Sequence, residues 1–194
     1  MQNADEYTNL DESAAGNLTW LPALEHKDLL AEPVARALEE LAAREPELAA
    51  QALVAEIDPE FSDTAPMVEK YGVDEKLVCN CVLVAGKRNG EERVAACVVR
   101  ATTQADINHV VKKRLDVRKA SFWPTDRAVE ASGMEYGAIT PVGVPAQWRL
   151  LLDTQVVAGI ACIGSGIRPS KLLVPGALLA KLPQAEVVEG LGVE

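Results

Sequence analysis

From Asp28 onward, Leu29, Leu30, Val34, Ala37, Leu38 and Leu41 recur at spacings of three and four, the period of a helix that buries one face. Pro46 breaks that pattern near its end. Residues 53–57 alternate as a short strand does, and Asp58-Pro59-Glu60 supplies turn chemistry after them. Asp63 or Thr64 can cap a helix that carries Met67, Val68 and Tyr71 and stops near Gly72. Two apolar runs, 77–85 and 94–101, enclose a short loop with Gly86, Asn89 and Gly90 and predict a β-hairpin. The pattern then predicts helices over 104–115 and from Thr125 to Ser132, strands over 149–152, 156–163 and 171–174, and a last helix over 175–182. Helices and strands interleave without a strict βαβ rhythm, so the expected fold class is α/β with a mixed sheet wrapped by helices.

Residues 1–19 lack this periodicity, and the first 27 are read as an acidic, flexible tail ahead of a single domain over 28–194. At 194 residues and 48% hydrophobic content, one well-buried core is sufficient. The longest apolar runs fall far short of the roughly 20 residues that cross a bilayer. The acidic N-terminus resembles neither a signal nor a transit peptide, and the expected location is the cytoplasm. Cys79, Cys81, Cys97 and Cys162 sit inside apolar runs without disulfide-framework spacing, which predicts buried, reduced thiols.

The net charge of −10 is unevenly placed. Residues 1–63 hold 15 acidic against 3 basic side chains, whereas residues 64–194 hold 14 against 16. Five of the eight residues from Lys112 to Lys119 are cationic, a segment that either meets phosphates or is a solvated helix end.

The chain has no P-loop, GxGxxG fingerprint, HExxH or GxSxG elbow. Its two histidines, His26 and His109, lie near no nucleophile in sequence, which argues against a catalytic triad. Cys79-x-Cys81 has one intervening residue where zinc sites have two or more, so no metal site is expected. The loop from Gly133 to Gly143 holds three glycines and Pro141 within eleven residues. It is either a helix cap leading into a turn, or a close-approach loop whose amides address a carbonyl or oxyanion.

Seven segments occur in the order found in the YbaK/prolyl-tRNA synthetase-associated editing family, and together they resemble it over roughly 140 residues. They are 53–57; Asp63-Thr64-Ala65; 78–84 with Gly86; 115–122 with 128–133; Gly137-Ala138-Ile139-Thr140-Pro141 as a GxxxP loop, with Gly143 after it; Asp153; and Cys162 to Gly166 with Arg168 and Leu172. The resemblance implies a partly barrel-like mixed sheet and hydrolysis of a wrongly charged aminoacyl-tRNA at its 3′ end. The partner it implies is the tRNA acceptor end carrying that wrong amino acid. Residues 137–141 would polarise the ester carbonyl, no nucleophilic side chain is required, and no cofactor is implied. Asn80 stands where many members carry a pocket lysine, and Lys112 or Lys119 are candidates to supply that charge. Asp153, Gly164, Ser165, Gly166, Lys112, Lys113 and Lys119 are the expected substrate-binding residues. A non-catalytic module that binds aminoacyl-tRNA or an amino acid, and an unrelated small-molecule hydrolase on the same fold, are the alternatives.

Overall fold

The computed structural model describes residues 12–194, with side chains from residue 14. Its strands, in chain order, are β1 (Leu21–Pro22), β2 (Leu53–Glu56), β3 (Cys79–Arg88), β4 (Glu91–Arg100), β5 (Gln104–Ala105) and β6 (Ala120–Phe122). They continue with β7 (Arg149–Asp153), β8 (Ile160–Gly164), β9 (Ser170–Pro175), β10 (Ala185–Val188) and β11 (Gly192–Val193). One sheet runs β1-β2-β9-β8 and is antiparallel throughout. A second runs β10-β7-β4-β3-β6, with β7 parallel to both β4 and β10. A small third sheet pairs β11 with β5. The expected mixed α/β fold is therefore present.

The β3–β4 hairpin turns on Asn89 and Gly90, both at positive φ (53° and 83°), the backbone that a two-residue turn of this twist requires. Strand alternation divides β4 between two cores. Ala96 and Val98 join the main core, while Ala95, Cys97 and Val99 join a second one on the opposite face. The helix Glu32–Ala42 covers the main core with Val34, Leu38 and Leu41, each burial contributing about 1.5–3 kcal/mol. Val54, Ile163, Leu172 and Val174 of the first sheet meet the same core. Val111, Leu115 and Val117 close the second core. A lone parallel bridge between Val78 and Cys162 joins the two large sheets at one corner. The wrap is thus partly barrel-like, without closure among the described residues.

Three elements differ from the sequence pattern. Residues 156–163 are not one strand, because the Asp153 carboxylate accepts the Gln155 amide and caps a helical turn over Thr154–Val157 before β8 begins. Residues 104–115 begin as β5, held by β11, and only then coil through a wide turn (Ile107–Val111) into Lys112–Leu115. The segment before residue 28 lies partly outside the described residues, but its later part is packed rather than loose. Ala15 is buried in a third core with Met67, Val73 and Leu77, and Leu18 and Trp20 pack against it. The Trp20 indole donates to the Ala15 carbonyl, and the Asn17 amide donates to Tyr71.

Candidate active site

A cavity of about 540 Å³ opens at the corner where the two large sheets meet. Its size suits a small-molecule site. β6 covers β3 only from Val84 to Gly86, so the stretch from Cys79 to Val82 has no β6 partner and lines the cavity. Ser62, Asp63 and Thr64 reach it from the start of the helix Thr64–Tyr71, which ends at Gly72 in the left-handed region. Cys162, Ile163 and Gly164 come from β8, and Lys171 comes from β9. Phe122 and Tyr136, 69% and 65% exposed, stand on its lining.

The GxxxP loop is present as a fixed turn, and only two of its five residues, Gly137 and Ile139, line the cavity. Ala138 and Thr140 are buried, and Pro141 lines a separate groove. The amides divide the same way. Ala138 donates to the Glu135 carbonyl and Thr140 to Met134 Sδ, while those of Gly137 and Ile139 have no hydrogen-bond partner among the described residues. Gly164 is packed so closely that a Cβ on it would fall 2.4 Å from the Ala138 oxygen, and the Gly166 amide donates to that same oxygen. Arg168 ties the loop down from outside, donating to Tyr136 O, Asp63 Oδ1 and Pro59 O.

Other expected site residues separate clearly. Asn80 lines the cavity and accepts the Thr64 hydroxyl at 3.3 Å. Gly164 lines it too, but Ser165 and Gly166 do not: the Ser165 hydroxyl is buried against Ser170 and Ile167. Asp153 lies away from the cavity lining, because its two oxygens accept the amides of Gln155 and Gly192, each at 2.8 Å. That carboxylate is a structural cap.

Lys112 and Lys119 line a shallow groove together with Lys87, Arg118 and Arg127, and Lys113 lies outside it. The groove shares Phe122 and Trp123 with the cavity, so the basic groove adjoins it. Arg127 is paired there with Glu92, whose carboxyl it holds below the ordinary value. None of these groove cations lines the cavity itself. The cation that does is Lys171, which the sequence pattern marks only as part of a strand. Its signal was a charged residue at the head of an otherwise apolar run.

No histidine lines the cavity, and its thiols are poor nucleophiles. Burial pushes Cys79 up to about 11 and both Cys81 and Cys162 up to about 12, so they remain protonated thiols at neutral pH. Among the described residues no cluster of three or more His, Cys, Asp or Glu could hold a metal ion, and no helix is long and apolar enough to cross a membrane. What remains for chemistry is two unpaired amides, Lys171, the Asp63 carboxylate, hydroxyls and Asn80 around a partly apolar cavity.

This arrangement of sheets defines an editing-domain fold, as comparison with solved structures shows. The crystal structure of a "putative trans-editing enzyme for prolyl tRNA synthetase" superposes with a TM-score of 0.65 at 15% identity, covering 84% of this chain and 98% of that one. A hypothetical protein, APE2540, superposes with a TM-score of 0.67 at 18% identity, over 81% and 99% of the two chains. No curated protein sequence matches the chain. The model of the aminoacyl-tRNA editing domain matches residues 58–182, and the chain belongs to that family. The resemblance drawn from the ordered sequence segments is thereby borne out.

Proposed function

We propose that this editing domain hydrolyses the ester of a wrongly charged aminoacyl-tRNA, taken as a separate substrate in trans. The observation that carries the reading is the pairing of two unsatisfied amides, on Gly137 and Ile139, with a cavity that adjoins a basic groove. The amides polarise the ester carbonyl, and preorganised donors of this kind are among the strongest sources of catalysis. Water adds to the carbonyl carbon with help from the terminal ribose. The bond to the ribose oxygen then breaks, and that oxygen leaves with the water's proton. An aminoacyl ester is reactive enough that positioning suffices, so protonated thiols in the wall are no obstacle.

The aminoacyl side chain lies against Met67, Cys79, Cys81, Cys162 and Ile163, an uncharged wall that suits a small apolar group. Larger cognate amino acids are excluded by volume, since one methylene of binding energy separates substrates by only about 1–3 kcal/mol. Phosphates of the acceptor end follow Lys112, Arg118 and Lys119 in the groove, and Phe122 at the junction offers an exposed ring for a terminal base.

The test is single-turnover deacylation across a panel of mischarged tRNAs. Release of one small amino acid, lost in Gly137→Val, supports the reading. Tight tRNA binding with no release makes the domain a non-catalytic binding module.

A further inference from the structure

Lys171 is 8% exposed and lines the cavity, and its ammonium makes no hydrogen bond or ion pair with any described residue. A buried ammonium without a partner is costly to keep, which calls for an explanation in function. Its neighbours compensate the charge only in part. Cys162 on β8 stays a neutral thiol, and the Asp63 carboxylate that acts on Lys171 also pairs with Arg168 at 3.5 Å. Lys171 and Gly137 line the same cavity, and Asp63 acts on both sides of it: it influences Lys171 electrostatically, and a Cβ on Gly137 would stand 3.5 Å from its Oδ1. Asn80, across the cavity, can donate and accept hydrogen bonds but carries no charge.

We propose that the Lys171 ammonium, acting beside the Gly137 amide, holds the negative charge that develops on the ester carbonyl oxygen during hydrolysis. Lys171 is thus the site's cation, supplied from β9. The inference rests on the deacylase reading. When water adds to the carbonyl carbon, the carbonyl electron pair moves to oxygen and is met by the ammonium. When the bond to the ribose oxygen breaks, that pair returns and the charge is released.

Burial, the largest influence, lowers the Lys171 pKa from the ordinary lysine value, Arg168 lowers it further, and Cys162 and Asp63 oppose the shift. Because the protonated form is required, deacylation above the enzyme-free rate falls as pH rises through this depressed pKa, below the range of an ordinary lysine. Lys171→Arg moves that alkaline limb upward, since a guanidinium does not deprotonate there.

Two readouts separate this proposal from the reading it rests on. In deacylation of the best mischarged tRNA, Lys171→Met lowers kcat by about 100-fold. Lys171→Arg retains part of the activity, and the double variant Asn80→Lys/Lys171→Met regains part of it by returning a cation from β3. In binding, an adenosine 3′-(1-aminoethyl)phosphonate mimics the charged tetrahedral intermediate, and a 3′-alanylamido adenosine mimics the neutral ester. Lys171→Met weakens the phosphonate about tenfold or more and leaves the neutral amide within twofold. The Tm of Lys171→Met stays equal to or above the parent's, because an unpaired buried charge has been removed, so misfolding is not the cause. Phosphonate affinity unchanged in a folded Lys171→Met overturns the proposal even if deacylation is found. Phosphonate affinity lost in that variant, with no tRNA deacylated by the parent, keeps Lys171 as an anion site and overturns the deacylase reading instead.

Discussion

Gly164 lies against the carbonyl of Ala138 with no room for a side chain: a Cβ there would stand 2.4 Å from that oxygen. The contact sets the height of the GxxxP loop over β8 and hence where the Gly137 and Ile139 amides sit. Gly164→Ala must shift backbone rather than a flexible side-chain end, an overpacking that costs about 1–3 kcal/mol. The expected outcome is a folded protein with a modestly lower Tm and a kcat reduced tenfold or more, read by single-turnover deacylation beside thermal melting.

Gly137 is at φ +74°, a conformation a β-branched residue adopts only with strain. Its missing Cβ also leaves space for Arg168 Nη1, 2.5 Å from where that atom would be. Gly137→Val therefore displaces Arg168, obstructs the cavity wall and abolishes deacylation, while circular dichroism shows the fold retained. Full activity in a folded Gly137→Val protein removes the loop from the site.

The groove cations are separable from Lys113, which lies outside the groove. Replacing Lys112, Arg118 and Lys119 with Ala weakens tRNA binding and reduces the slope of log affinity against log salt by about 2, at about 0.7 per single-strand phosphate contact. Lys113→Ala leaves both within error. A slope change of about 0.7 in Lys113→Ala, a third of the triple variant's, would show that charge alone, rather than the groove, drives binding.

Asp153 serves the fold through the amides of Gln155 and Gly192. Asp153→Ala leaves two amides without their acceptor and lowers stability by about 1–3 kcal/mol. Activity per folded molecule stays close to that of the parent. Denaturant melts paired with active-site titration check both parts.

The N-terminal segment from Ala15 to Trp20 covers the third core, so a chain starting at residue 21 loses that burial. Its Tm falls by about 5 °C or more, since each kcal/mol corresponds to about 2–4 °C in a domain of this size. An unchanged Tm contradicts the packing of this segment.

Much of the fold was legible in the sequence because its local signals agree with the tertiary arrangement. Gly72 and Gly133 end their helices in the left-handed region, and Asn89-Gly90 makes the hairpin turn. Most of the misreadings come from long-range pairing, and one from a local cap. Gln104 and Ala105 are drawn into a strand by Gly192 and Val193, far along the chain, and the short strands β1, β6 and β10 exist only because a neighbour pairs them. The apolar run at Val156 looks like a strand until Asp153 caps it. For the site, Gly137, Ile139, Asn80 and Gly164 were legible through their ordered resemblance to one family. Lys171 was not, because a lysine within a strand run reads as an exposed position until the sheets are assembled around it.

The most direct measurement is the rate at which the purified protein releases amino acid from each member of a panel of mischarged tRNAs, with Gly137→Val run in parallel. At least one small, uncharged amino acid is released well above the enzyme-free rate, and that release is absent in the variant. No release from any tRNA in the panel, or equal release by the variant, would contradict the deacylase reading.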